Sequence, residues 1–130
     1  MKTKLAALLA AFALPTLAQS PAATPAPASV AKPGRIDGAT AKALAAGGAK
    51  VVDVRTPEEF TSGHVPGAIN IPYDEIARRA SEIGPPSTTV VLYCRSGRRS
   101  GIAVEALQKA GYEKLYDFQS VTAWPGELAR

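Results

Sequence analysis

The sequence predicts an α/β fold in which helices cover both faces of a small, mostly parallel central sheet, a three-layer arrangement. Short apolar, β-branched segments alternate with segments of helical spacing. Glycine and proline pairs separate these segments. The part of the chain with this pattern, residues 35–130, is long enough to form one hydrophobic core. Since open parallel sheets bind ligands at the carboxyl ends of their strands, we expect a functional site at that edge.

The predicted elements follow in order from local signals. Helix starts are identified by an N-cap residue, here Asp37 and Thr56, or by proline at the first helical position, and helix ends by glycine or proline. Strands are identified by short β-branched runs. These signals predict a helix over 39–46, a strand over 50–54, a helical turn over 57–60, a strand over 68–71, a helix over 73–83, a strand over 89–93, a helix over 101–110 and a strand over 114–117.

The residues before this domain differ from it in composition. Residues 1–18 combine two lysines with an apolar run that Pro15 ends, the pattern of a secretory signal peptide cleaved after Ala18. The run is shorter than the about 20 residues of a membrane span. An uncleaved amphipathic anchor is the alternative, but the run is apolar on all sides. Residues 19–34, rich in Ala, Pro, Ser and Thr, are predicted to form a linker without a core of its own.

Charge and composition exclude several classes of function. The chain has 15 Lys and Arg against 11 Asp and Glu, a formal net charge of +4. Removal of the two N-terminal lysines leaves 13 against 11, or +2. With three arginines concentrated in one short segment, the positive charge suits a small anion better than a nucleic acid. One cysteine and one histidine do not make a zinc site, which needs about three or four ligands.

Cys94 follows the predicted strand 89–93 and precedes a predicted helix. It begins the segment Cys94-Arg95-Ser96-Gly97-Arg98-Arg99-Ser100, called here the Cys94 segment. Free N–H groups at a helix start, the helix dipole and nearby guanidiniums lower the pKa of a thiol and also bind small oxyanions. The sequence therefore predicts a nucleophilic sulfur in an anion-binding loop. The alternative, a buried structural cysteine, fits poorly with three adjacent arginines.

Two motifs resemble those of the rhodanese-homology domain, over about residues 35–124. The first is Asp53-Val54-Arg55-Thr56-Pro57-Glu58-Glu59-Phe60, continued by Gly63-His64-Val65-Pro66-Gly67-Ala68-Ile69-Asn70-Ile71-Pro72. The second is the Cys94 segment. A single domain behind a signal peptide is similar to the small periplasmic rhodaneses of the phage-shock group.

The resemblance implies a rhodanese-like fold and a thiosulfate sulfurtransferase. Cys94 would take a sulfane sulfur from thiosulfate or a similar donor, become a persulfide, and pass the sulfur to cyanide, a thiol or a protein. No metal or organic cofactor is implied. The implied partners are a small anionic sulfur donor and a thiol or protein acceptor, with no nucleic acid and no stable membrane association after cleavage. The implied location is outside the cytoplasm, in the periplasm.

Eleven residues of the two motifs have expected roles. Cys94 is the expected nucleophile, and the expected substrate-binding set is Arg95, Ser96, Gly97, Arg98, Arg99 and Ser100. Anion contact is expected first from Arg95 and Arg98, with Arg99 either joining them or pointing outward, and Ser100 either lining the site or capping the helix. The expected structural set is Asp53, Arg55, Glu59 and His64, with Arg55 paired to a carboxylate and His64 a hydrogen-bonded strut.

Two adjacent positions depart from the family pattern. Family members commonly have Gly-Gly before the final Ala-Trp, where this chain has Gln119-Ser120, so substrate access is left open. Trp124 is expected to be a packing residue.

Two rival functions are considered. A phosphatase or arsenate reductase of the same fold needs Arg six residues after the cysteine, where this chain has Ser100. The other rival is a sulfane-sulfur binding or redox-partner module without fast turnover.

Overall fold

In a computed structural model, which describes residues 32–130, five parallel strands form one sheet with helices on both faces. The strands are β1 (Gly34–Arg35), β2 (Lys50–Asp53), β3 (Ile69–Asn70), β4 (Val90–Cys94) and β5 (Leu115–Ser120), in the spatial order β1-β5-β4-β2-β3. The helices are α1 (Gly38–Ala46), α2 (Pro57–Ser62), α3 (Ile76–Arg79) and α4 (Arg98–Lys109), with 3₁₀ turns at Ala80–Glu82 and Val121–Ala123. The predicted α/β class and parallel sheet are confirmed. The predicted signal peptide and most of the predicted linker lie outside the described residues.

Both predicted N-caps are present. The Asp37 carboxylate accepts a hydrogen bond from the Thr40 amide at 2.8 Å. Thr56 and Glu59 form a capping box in which each side chain accepts from the other residue's backbone N–H. Gly38, in the first turn of α1, is packed so closely that a Cβ there would lie 1.8 Å from the Ala123 carbonyl oxygen. The start of α1 is thereby fixed against the chain that follows β5.

The predicted elements and the structure differ in several places. The helix predicted over 73–83 contains only α3 followed by a 3₁₀ turn, because residues 73–75 form a turn closed by the Glu75 N–H on the Pro72 carbonyl. The last strand extends beyond 117 to Ser120. Strand β1 was not predicted, and its Gly34 falls in the predicted linker; a two-residue edge strand has too little pattern to detect.

The start of α4 is the difference that matters for the site. The helix was predicted from residue 101, whereas it begins at Arg98 with Gly97 as its N-cap. Arg98, Arg99 and Ser100 therefore belong to the first helical turn and not to a loop. The apolar periodicity begins only after these polar residues, so spacing alone placed the start one turn late.

Two hydrophobic cores lie on opposite faces of the sheet. Alternate residues of β4 serve each: Val90, Leu92 and Cys94 face the core under α3 and α4, while Val91 and Tyr93 face the core under α1. Every residue of β4 is fully buried. None of the helices described between residues 32 and 130 is long and apolar enough to cross a bilayer.

Candidate active site

Cys94 is the last residue of the central strand β4 and lies just before α4. Its side chain is buried. Gly97 has φ +101°, a left-handed conformation that favours glycine, and this turns the chain back over the sulfur. The Gly97 N–H consequently donates a hydrogen bond to Cys94 Sγ at 2.9 Å.

Hydrogen bonds at this helix start control the ionisation of the thiol. Burial by itself raises the pKa of Cys94, but the Ser100 hydroxyl and the backbone N–H groups of Ser100, Gly97 and Ser96 lower it by more, so the pKa lies below its ordinary value of 9.0. We call these donors the amide cradle. The cradle favours the thiolate, which is the nucleophilic form of cysteine.

Ser100 is the side-chain member of the cradle and does not cap α4. It is buried at the third position of the helix, with its Oγ 3.6 Å from Cys94 Sγ and 3.2 Å from the Gly97 carbonyl oxygen. The neutral thiol donates to Oγ, while the hydroxyl donates to Gly97. Once the thiol ionises, the same hydroxyl can rotate and donate to the sulfur. The Ser100 hydroxyl can therefore form a hydrogen bond with Cys94 both as a thiol and as a thiolate.

The three arginines of the Cys94 segment occupy two environments. Arg95 and Arg98 are exposed, and neither forms an ion pair with any residue between 32 and 130. Arg99 is half-buried and forms a bidentate ion pair with Glu59, at 2.8 Å (Nη1–Oε1) and 3.1 Å (Nη2–Oε2). Hydrogen bonding to Glu59 raises the pKa of Arg99, and the negative charge of the Cys94 thiolate raises it further. The outward orientation considered for Arg99 is not found.

The Glu59–Arg99 pair joins the two motifs, a link that sequence analysis missed. Arg99 holds the pKa of Glu59 at about 2, and the Thr56 N–H of the capping box also stabilises the carboxylate. Glu59 follows β2 and Arg99 follows the adjacent β4. Opposite charges after neighbouring strands are the signal that could have indicated the contact.

Two charged residues of the first motif, Asp53 and Arg55, form a separate, buried pair. Asp53 and Arg55 are paired through several hydrogen bonds, the shortest from Arg55 Nη2 to Asp53 Oδ2 at 2.6 Å. Arg55 also donates to the Gly63 carbonyl at 2.7 Å and lies over the Tyr93 ring. The Asn70 amide donates to the carbonyls of Asp53 and Arg55. The predicted pairing of Arg55 with a carboxylate is confirmed.

His64 has the contacts of a structural strut. Its Nδ1 lies 2.8 Å from the Phe60 carbonyl oxygen, and its ring stacks on the Phe60 ring at 3.7 Å. Its backbone exchanges two hydrogen bonds with Ala129 in an antiparallel bridge. These contacts hold the end of α2 to the C-terminal segment.

The end of β5 forms another side of the site. Gln119 has φ +71° and lies against Gly97, and the register of β4 and β5 places Ser120 beside Cys94. Trp124 packs on Phe118 with ring centroids 5.9 Å apart. Across residues 32–130 no cluster of three or more His, Cys, Asp or Glu side chains could hold a metal ion.

Fold and site together define an α/β protein whose buried thiol, at the carboxyl end of a central parallel strand, lies at a helix N-terminus. Comparison with known proteins gives the family: the model for the "Rhodanese-like domain" matches residues 37–124, most of the chain. The chain therefore belongs to the rhodanese-like family.

Several relatives are named as sulfurtransferases. The chain is 47% identical over 62 residues to "Thiosulfate sulfurtransferase PspE" of Escherichia coli, covering 47% of this chain and 60% of the relative. It is 34% identical over 105 residues to "Thiosulfate sulfurtransferase 16, chloroplastic" of Arabidopsis thaliana, covering 71% and 87%. A solved structure, "rhodanese with anions from E. coli", is 39% identical with a TM-score of 0.54, covering 58% of this chain and 93% of that chain. The chain spans less than two thirds of the length of some curated relatives: it covers 60% of PspE and 64% of "Uncharacterized protein YqhL" of Bacillus subtilis. The chain is therefore similar, over part of their length, to proteins named as sulfurtransferases.

Proposed function

We propose that the protein transfers a sulfane sulfur from thiosulfate, or a similar small anionic donor, to a thiophilic acceptor through a persulfide on Cys94. The observation that supports this most is the amide cradle, with the Gly97 N–H 2.9 Å from Cys94 Sγ. The cradle stabilises negative charge at the sulfur position both before and after the sulfur is taken up.

The proposed reaction has two balanced steps. The Cys94 thiolate attacks the outer sulfur of thiosulfate; a sulfur–sulfur bond forms to Cys94, and the bond within thiosulfate breaks with its electron pair leaving on sulfite. An acceptor such as cyanide then attacks the outer sulfur of the persulfide, forms thiocyanate and restores the thiolate. Because the attacking group is already an anion, neither step requires a general base.

The three arginines would contribute differently to binding the donor. Exposed Arg95 and Arg98 would attract the thiosulfate dianion to the entrance. Arg99, held by Glu59, would supply a fixed positive charge close to the sulfur.

A protein thiol or a small thiol is the proposed acceptor. Export to the periplasm is part of the proposal, supported by the N-terminal pattern of the sequence, and N-terminal sequencing of the exported protein tests it by a start at Gln19.

A sulfur-carrier function without fast turnover is the second candidate, favoured by the relative named "Putative sulfur carrier protein YrkF" of Bacillus subtilis, 33% identical over 78 residues. Mass spectrometry after incubation with thiosulfate tests both candidates. A gain of one sulfur atom that cyanide removes with repeated turnover supports the transferase, whereas a stable gain without turnover supports the carrier. No gain of sulfur and no thiocyanate would contradict both.

A further inference from the structure

Gln119 is a residue of the site that the proposed chemistry does not use. Among residues 32–130 it is the one non-glycine residue with positive φ, at +71°. Residues with a side chain pay a conformational cost in this region, and such strain persists only where the surroundings impose it. The backbone at Gln119 therefore needs a structural explanation.

Strand β5 imposes this conformation. The pairing of β4 with β5 shifts register between Leu92 and Tyr93, so that Tyr93 is paired with Gln119. The buried carboxylate of Asp117 accepts the Gln119 N–H at 2.8 Å. Because the bulge and this hydrogen bond fix the backbone, the direction of the Gln119 Cα–Cβ bond is fixed as well.

The side chain lies across the Cys94 segment. A Cβ placed on Gly97 would lie 3.1 Å from Gln119 Nε2 and 3.2 Å from Gln119 Cβ, so the carboxamide fills the space beside Gly97. The N–H of the same glycine contacts Cys94 Sγ. Gln119 therefore lies against the same residue, Gly97, whose N–H contacts the reacting sulfur. Gln119 is half-buried at the end of its strand.

We propose that Gln119 is a specificity-determining residue that limits the size of the sulfur donor at Cys94. This inference rests on the proposed function. A donor whose leaving group is a small oxyanion, such as thiosulfate, passes the carboxamide and can accept hydrogen bonds from its NH₂ group. A donor with a bulky organic group meets the Gln119 side chain, which occupies the space beside Gly97.

The kinetic test compares thiosulfate with benzenethiosulfonate, which gives the same persulfide and releases benzenesulfinate in place of sulfite. The variants are Gln119→Gly, which adopts positive φ without strain, and Gln119→Asn, which tolerates it with a shorter side chain. Gln108→Ala, on the exposed part of α4, is the control. We expect the kcat/KM ratio of benzenethiosulfonate to thiosulfate to rise about tenfold in Gln119→Gly, less in Gln119→Asn, and not in the control.

A second readout does not depend on sulfur transfer. Alkylation of Cys94 by small iodoacetamide and by bulky N-phenylmaleimide gives a ratio of rates, which Gln119→Gly should shift toward the bulky reagent. An alkylation ratio equal to that of the wild type would overturn the role of Gln119. If the wild type takes sulfur from neither donor, the proposed function fails, while the alkylation ratio still decides whether Gln119 limits access.

Discussion

The two junctions that follow β2 and β4 have similar positions but opposite uses of their polar groups. Both lie at the carboxyl ends of adjacent parallel strands, and both lead through a short turn into a helix. After β2, Asp53 and Arg55 are paired with each other inside the protein. After β4, the N–H groups are directed at the sulfur of Cys94, and Arg95 and Arg98 are exposed.

The comparison shows that charge alone does not identify a site, since both junctions are rich in charge. What differs is whether each polar group already has a partner within the protein. Groups that satisfy each other stabilise the fold, whereas donors directed at one nucleophilic atom alter its chemistry. The Glu59–Arg99 pair belongs to both junctions, because it fixes an arginine of one through a carboxylate of the other.

The largest expected effect is the loss of activity when Cys94, at the junction after β4, is replaced. Cys94→Ser should abolish sulfur transfer and leave the fold nearly unchanged, because serine is close to cysteine in volume and the cradle donors can bind its hydroxyl. Thiocyanate formation and thermal unfolding measure the two properties. Retained thiosulfate:cyanide activity in this variant would contradict the mechanism.

Loss of the buried pair should affect stability. Arg55→Met leaves the Asp53 carboxylate buried without its partner, which should lower the free energy of unfolding by about 3–5 kcal/mol. The double variant Asp53→Asn/Arg55→Met removes both charges and should recover much of this loss. Urea denaturation measures stability, and the alkylation rate of Cys94 in the folded fraction should stay near that of the wild type. A stable Arg55→Met protein with slow alkylation would instead place Arg55 in the site.

The pair that links the junctions should show a pH dependence. Because the pKa of Glu59 in the folded protein is lowered from 4.5 to about 2, its stabilisation is complete above pH 4.5 and is lost as the pH falls toward 2. With both side chains partly exposed to solvent, we expect Glu59→Gln to lose about 1 kcal/mol at pH 7 and to match the wild type near pH 2. Glu58→Gln, at an exposed neighbouring position, is the control. A stability difference that does not change with pH would contradict the account.

The exposed arginines should have smaller effects on binding. Arg95→Ala and Arg98→Ala should each raise the KM for thiosulfate. The loss of binding free energy should be at the low end of the about 1–3 kcal/mol of a charge-assisted hydrogen bond, because solvent screens these exposed guanidinium groups. Lysine at either position should recover only part, since it lacks the planar guanidinium. Steady-state kinetics at two salt concentrations measure the KM for thiosulfate. An unchanged KM in both alanine variants would mean that other residues bind the anion.

The sequence was sufficient for the fold class, the N-caps and the position of Cys94, because these depend on local patterns. It placed α4 one turn late, since a first turn of polar residues has no apolar periodicity. The Glu59–Arg99 pair was missed because the two residues are 40 positions apart, and only the order of the strands in the sheet brings them together. For the same reason, the departure at Gln119 was visible in the sequence, but its contact with Gly97 was not.

The central claim, that the amide cradle lowers the pKa of Cys94 and so favours its thiolate, is tested most directly by the pH dependence of Cys94 alkylation in the wild type and in Ser100→Ala. Burial opposes ionisation, and the hydrogen bonds from the Ser100 hydroxyl and the backbone amides outweigh it. The alkylation midpoint of the wild type should therefore lie below 9.0, and removal of the hydroxyl should move it upward. A wild-type midpoint at or above 9.0, unchanged in Ser100→Ala, would contradict the account.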